Sequence, residues 1–276
     1  MSQKVNLNAY FERIGFAGSI APTLATLEQL HALHPAAIAF EDLDPVMGRP
    51  VRLDQASLEQ KLLHNQRGGY CFEQNTLFMN ILRDLDFTVR AYGARTLWGH
   101  PEGAERMISH MVLVVDIAGT SYLCDVGFGT FTLLAPLKLR ADSEQTIGQE
   151  TYRITRNGEG FRLDVKLNET WHAVYQFDLI EHDAAAIAAL STYVETVYHE
   201  RALLFVSRGD KEGRYNLSGN RLTIHRPGVE RERRYATSVE ELKAILSETF
   251  RIALPPAQEL DPALQRVLDA QPVEAS

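Results

Sequence analysis

A chain of 276 residues, 45% apolar and 23% charged, can bury a large core and divides most naturally into two or three subdomains. Its net charge of -8 argues against a nucleic-acid partner, which needs a basic surface, and its one basic cluster, Arg231 to Arg234, is broken by Glu232 and reads as solvated strand or turn. Two cysteines make no disulfide framework, no apolar run approaches the roughly 20 residues that span a bilayer, and the opening MSQKVNLNAYFERIGF lacks a signal peptide's apolar stretch, so a cytoplasmic protein with reduced thiols and no membrane partner is expected.

The first 86 residues read as helical. Leu24, Leu27, Leu30 and Leu33 recur at helical spacing and stop near His34-Pro35, placing His31 and His34 on a polar helix end. Asp54 is positioned to cap a second helix through Leu58, Leu62 and Leu63, ending before Gly68-Gly69. A third begins at about Cys71 and carries Leu77, Phe78, Ile81, Leu82 and Leu85. From Phe87 the period changes to two. Strands are predicted over 87–96, 107–117, 120–127, 151–156, 160–167 and 170–177, with turn signals at Ala118-Gly119, Asn157-Gly158 and Asn168-Glu169. The middle of the chain is therefore an antiparallel sheet or small barrel. Beyond it, a helix is predicted over 183–206 and short strands over 214–217, 221–226 and 233–236. Ser238 and Glu241 then form a capping-box pattern that opens a helix to about Phe250. The tail from Pro255 either packs on the surface or frays. These elements divide into a helical part (1–86), a strand-rich part (87–190) and a mixed part (191–276).

Cys71 sits in Arg67-Gly68-Gly69-Tyr70-Cys71-Phe72-Glu73-Gln74-Asn75, at the predicted start of a helix. A thiol in a helix's first turn meets the positive end of the helix dipole, which favours the nucleophilic thiolate. His110 lies in a buried-looking strand, sharing a face with Ile108, Val112 and Val114. Taken by itself it reads as a satisfied core histidine. If Ala118-Gly119 is a two-residue hairpin loop, opposed residue numbers sum to 237, and His110 becomes a diagonal same-face neighbour of Asp125, roughly 7–8 Å away at the backbone. A three-residue loop would turn Asp125 to the other face. Packed against Cys71, the pair would complete a Cys-His-Asp triad able to bring the thiol to roughly pKa 3.5–7.5. Asp116, the competing acid, falls at the hairpin tip. Cys124 points away from Asp125 and reads as a structural thiol. There is no Cys-x-x-Cys, so no metal site is expected. Gly127-Phe128-Gly129-Thr130 follows a strand and reads either as a turn or as a place where backbone approaches a phosphate.

Taken together, these segments resemble the arylamine N-acetyltransferases over most of the first two hundred residues. RGGYCFEQN at 67–75 is similar to the family's nucleophile motif, SHMVLVV at 109–115 to its histidine strand and CDVGFG at 124–129 to its aspartate motif. AFEDLD at 39–44 is similar to an early Phe-Glu-Asn-Leu-Asp motif, with Asp42 in place of Asn, and YFERIGF at 10–16 to the opening helix. The resemblance implies an α+β fold of helical bundle, antiparallel β-barrel and C-terminal α/β lid, with a core shared by papain-like and transglutaminase-like cysteine enzymes. It implies Cys71, His110 and Asp125 as the triad and acetyl-CoA as cosubstrate, with Gly127, Gly129 and Thr130 as candidate coenzyme contacts. It also implies an arylamine or hydrazine acceptor, in a pocket lined by Phe40, Tyr70 and Phe128, and a monomer or homodimer. After about residue 190 the likeness fades. A Pro-x-Ser-x-Phe type segment is usual there, and this chain reads Tyr198-His199-Glu200-Arg201-Ala202-Leu203-Leu204-Phe205. The same triad would also serve a cysteine hydrolase, a transglutaminase-like enzyme or an amide synthase.

Overall fold

The computed structural model describes residues 4–101 and 103–270. Helix α1 (Leu7–Ile14) is capped by the Asn6 side chain and stopped by Gly15 at φ 69°. Helix α2 (Leu24–Ala37) starts on a Thr23 cap and runs through Pro35 instead of ending there. Its inner face buries His31 and His34 completely, so neither lies on a polar end. Helical periodicity marked the leucine stripe but could not show that both imidazoles find partners inside. Strand β1 (Phe40–Glu41) and helix α3 (Leu43–Met47) follow. Asp54 caps α4 (Gln55–Leu58), which continues as a π-helical turn over Glu59–His64. Helix α5 (Cys71–Asp84) is buried along most of its length.

Eight antiparallel strands come next: β2 (Thr88–Thr96), β3 (His110–Ile117), β4 (Thr120–Cys124), β5 (Leu137–Lys138), β6 (Ser143–Ile147), β7 (Glu150–Asn157), β8 (Gly160–Leu167) and β9 (Thr170–Glu181). They lie in the order β5-β4-β3-β2-β9-β8-β7-β6 and curl into a nearly closed barrel. The side-chain amide of Gln145 on β6 meets both the N–H (2.8 Å) and the C=O (2.9 Å) of Lys138 on β5, substituting for a ladder across the seam. Helix α6 (Ala184–Glu200) leads into β10 (Phe205–Asp210), β11 (Gly213–Ser218), β12 (Arg221–His225) and β13 (Glu232–Tyr235). Helix α7 (Val239–Ala244), extended by a π-helical turn over Ile245–Thr249, and α8 (Ala257–Asp269) complete the described chain. The helix expected to reach residue 206 thus ends at Glu200. Ala202 turns to φ 46°, and Phe205-Val206, aromatic and β-branched, joins a sheet. Within the described residues the tail from Pro255 packs down: α8 buries Leu260, Ala263, Leu264 and Val267.

The second sheet, ordered β1-β10-β11-β12-β13, takes its edge strand from the N-terminal helical part through Phe40↔Ser207 and Glu41↔Val206. One apolar core joins the helices to the outer face of β2–β4, a second fills the barrel, and a third lies between the five-stranded sheet and α7–α8. Where the first core meets the barrel, α5 packs on β2 and β3.

Candidate active site

Two glycines set the entry to α5. A Cβ on Gly68 would meet the Ala39 carbonyl oxygen at 2.1 Å, and one on Gly69 would meet the Glu73 side chain at 2.8 Å. Only glycine lets this loop lie against β1, where Glu41 N–H donates to the Gly69 carbonyl (3.0 Å). Glu73 caps the helix by accepting from Tyr70 N–H at 3.1 Å. It is itself paired with Lys61 (2.7 Å), which also meets Asp44 (2.6 Å). Arg67 bridges Glu41 (2.7 Å) and Asp44 (3.1 Å). A buried ionic network therefore clamps the turn from which Cys71 projects.

The hairpin has the expected register. Ile117 opposes Thr120 and Leu113 opposes Cys124, around Ala118 and Gly119, both at positive φ. Beyond the last paired residues the side chains meet: His110 Nε2 lies 2.7 Å from Asp125 Oδ2. Asp125 Oδ1 accepts from Asn75 Nδ2 and from Gly127 N–H, each at 3.0 Å. Burial would raise the Asp125 carboxyl, but the His110 charge and these hydrogen bonds outweigh it and hold it below the usual carboxylate range. With Nε2 committed to Asp125, Nδ1 is the ring nitrogen left to meet a thiol. Cys71 Sγ lies 3.8 Å from the Ser109 carbonyl oxygen, and a Cβ on Gly127 would stand 3.0 Å from Cys71 Cα. These approaches bring the first turn of α5 onto the segments that carry His110 and Asp125.

The helix dipole alone does not make this thiol acidic. Cys71 is 3% exposed, and burial, then the Asp125 charge, push it well above its ordinary value. The N–H groups of Phe72 and Cys71 act in the opposite direction and do not prevail. A bare thiolate is therefore disfavoured here. Cys124 is fully buried, and burial pushes its thiol up as well.

Behind the pair lies a polar layer that sequence periodicity did not reveal. His31 Nε2 accepts from Asp125 N–H at 3.1 Å. His34 joins Tyr10 OH (2.9 Å) to Gln74 Oε1 (2.7 Å), and Gln74 Nε2 donates to the Ala39 carbonyl at 2.8 Å. Asn75 donates to the Met111 carbonyl (2.8 Å) and accepts from Val126 N–H (3.1 Å), tying α5 to β3 and to the segment just after β4. Burial lowers His31 to about 4 and His34 to about 3, so both are neutral. The signal was present in the sequence as Gln74-Asn75, two amides directly after the nucleophile's turn, and as two histidines three residues apart on α2.

Of the aromatic residues expected at the acceptor pocket, Phe128 stands edge-on to His110 with ring centroids 5.1 Å apart. Tyr175 of β9, not anticipated, packs on both, at 5.3 Å from His110 and 5.2 Å from Phe128. Tyr70 is fully buried and its hydroxyl is held by Ser191 of α6; Phe40 lies beneath Gly129, 3.6 Å from where a Cβ would be. In the segment expected to meet the coenzyme, Gly127 N–H is committed to Asp125 and Gly129 N–H to Thr132 Oγ1 (2.8 Å). Thr130 is half-buried, and its hydroxyl makes no hydrogen bond among the described residues. No group of three or more His, Cys, Asp or Glu residues forms a metal-ligand set among the described residues. No described helix is long and apolar enough to cross a membrane.

A family model described as N-acetyltransferase matches residues 23–259. An arylamine N-acetyltransferase of Escherichia coli is 33% identical over 255 residues, covering 91% of this chain and 90% of that protein. One from Mycobacterium tuberculosis is 34% identical over 277 residues, covering 97% and 98%. Among solved structures, the Mycobacterium marinum arylamine N-acetyltransferase superposes with a TM-score of 0.91 at 33% identity, over 95% of this chain and 100% of that one. The same enzyme in complex with CoA gives 0.90 at 34% identity, over 95% and 99%.

Proposed function

The chain belongs to the arylamine N-acetyltransferase family, and from that membership and its site we propose a two-stage transfer: an acetyl group passes from acetyl-CoA to Cys71, then from Cys71 to an aromatic amine or hydrazine. The observation that carries this reading is the His110–Asp125 contact of 2.7 Å, set beside a cysteine at a helix start.

Because burial disfavours a lone thiolate, proton and charge move together. His110 Nδ1 takes the Cys71 proton, and Asp125 stabilises the imidazolium through Nε2. Cys71 Sγ attacks the thioester carbonyl of acetyl-CoA. N–H groups at the start of α5, that of Cys71 among them, face the developing oxyanion, while Gly127 N–H stays with Asp125. On collapse the carbon–sulfur bond to CoA breaks, His110 returns its proton to the departing thiolate, and Cys71 keeps the acetyl group. An amine nitrogen then attacks this thioester. His110 accepts its proton as the C–N bond forms, and passes it to the Cys71 sulfur as that bond breaks. Thr130, with its free hydroxyl, is the member of the 127–130 segment best placed to meet the coenzyme.

Acceptor chemistry follows from the same limits. An alkylamine of lysine's kind, with pKa near 10.4, is mostly protonated at pH 7 and has no lone pair to offer, whereas an aromatic amine or hydrazine is neutral and flat. Phe128 and Tyr175, packed about His110, suit such a ring. Initial rates measured against both substrates test the scheme: parallel double-reciprocal lines are expected, and lines that intersect would mean a ternary complex in its place.

A further inference from the structure

The aromatic wall beside the nucleophile's helix contains an unusual side chain. Helix α6 presents Ser191, Glu195 and Tyr198 at i, i+4 and i+7, hence on one face. That face lies against Tyr70, the residue before the nucleophile. Tyr70 OH donates to the Ser191 carbonyl (3.2 Å) and lies 3.4 Å from Glu195 Oε1, while Glu195 Oε2 accepts from Val51 N–H at 3.2 Å. Two of the three α6 residues thus spend their polar groups on holding Tyr70. The third does not. The Tyr198 ring packs 6.3 Å from Tyr70 and 6.1 Å from Phe205, and its hydroxyl makes no hydrogen bond among the described residues. Tyr198, Phe205 and Phe128 all keep part of their surface open, and the first two pack on the cluster holding Phe40, Tyr70 and Cys71. Burial first, then the nearby Cys71 and Asp42, raise the phenol well above its ordinary value, so it remains a neutral O–H donor.

We propose that Tyr198 is a specificity-determining residue of the acceptor site, whose hydroxyl donates a hydrogen bond to a neutral acceptor group on the ring of the incoming amine. This rests on the Cys71 transfer reading. The aromatic wall named here carries no cation, and the Glu195 carboxylate stands behind it, so a carbonyl or ether oxygen fits where a carboxylate would find no counter-charge.

The test compares 4-aminoacetophenone with 4-isopropylaniline, similar in shape but differing in the carbonyl, on the wild-type enzyme and on Tyr198→Phe. The ratio of kcat/KM for the two amines is expected to fall about threefold to tenfold in the variant, the worth of one hydrogen bond, with the change in KM. Any misfolded fraction cancels in that ratio. A ratio unchanged by the substitution would overturn the assignment while leaving acetyl transfer through Cys71 standing. Failure of the wild-type enzyme to acetylate either amine would overturn both.

Discussion

The contact between α2, α5 and the β3–β4 hairpin and the packing of α7 and α8 on the five-stranded sheet are both fully buried, yet they are built from opposite materials. In the first, His31, His34, Gln74, Asn75 and Asp125 are all completely hidden, and each makes directional bonds across elements. In the second, Leu204, Val206, Leu217, Leu242, Leu246, Leu260 and Leu264 pack with almost no buried polar group among them. A polar interior is costly to desolvate and is held by directional bonds that offset the cost, whereas an apolar one stabilises without fixing atoms to a direction. The first region holds an imidazole and a carboxylate in one geometry; the second holds the chain together. Substitutions should therefore separate the two, one set acting on rate and the other on stability.

Cys71→Ser is the largest break. It should abolish acetyl transfer, whereas Cys124→Ser, one residue from Asp125 but facing away, should lower stability and leave most of the turnover per folded molecule. Equal loss in both, read by an amine-acetylation assay, would remove the distinction between the two thiols. Asp125→Asn keeps the shape but exchanges the carboxylate for an amide that no longer selects the His110 tautomer. The acetylation rate should drop on the order of 10³–10⁴-fold with an unchanged circular dichroism spectrum.

The contrasting prediction lies in the other region. Leu264→Ala, at a fully buried position of α8, should cost about 2–5 kcal/mol in denaturant unfolding and leave kcat per folded site as it was. A selective loss of kcat would mean that α8 reaches the site. The most gradual effect comes from pH. His31 and His34 stay neutral when folded, at about 4 and about 3, but titrate near 6.5 once unfolded. Below pH 6.5 the unfolded chain binds the extra protons. Stability should fall with decreasing pH, by up to about 1.4 kcal/mol per pH unit for each histidine, until His31 titrates near pH 4. His34→Gln should flatten that slope by one proton, and an unaltered slope would place the acid sensitivity elsewhere.

Much of the site was legible because strand pairing is arithmetic. One two-residue turn at Ala118-Gly119 fixed which face Asp125 occupies, and the contact followed. The polar layer behind it was hidden because a helix's apolar stripe does not reveal whether a neighbouring histidine finds a partner inside; His31 does so through Asp125, and His34 through Gln74 and Tyr10, all on other elements of the fold. The burial around Cys71 was hidden for a related reason. The helix dipole is a local property, but the burial that overrides it belongs to the assembled fold. The apolar run 203–206 carries no period of its own that separates helix from strand, and the strand character of Phe205-Val206 comes from pairing with β11 and with β1, contributed from residues 40–41.

The central claim is that the acetyl group rests on Cys71 between two half-reactions. Intact-protein mass, recorded after mixing with acetyl-CoA and no amine, tests it most directly. A gain of one acetyl group, absent in Cys71→Ser and discharged as the amide when an arylamine is added, is the predicted result. An unmodified mass in an enzyme that still acetylates the amine when both substrates are present would contradict it.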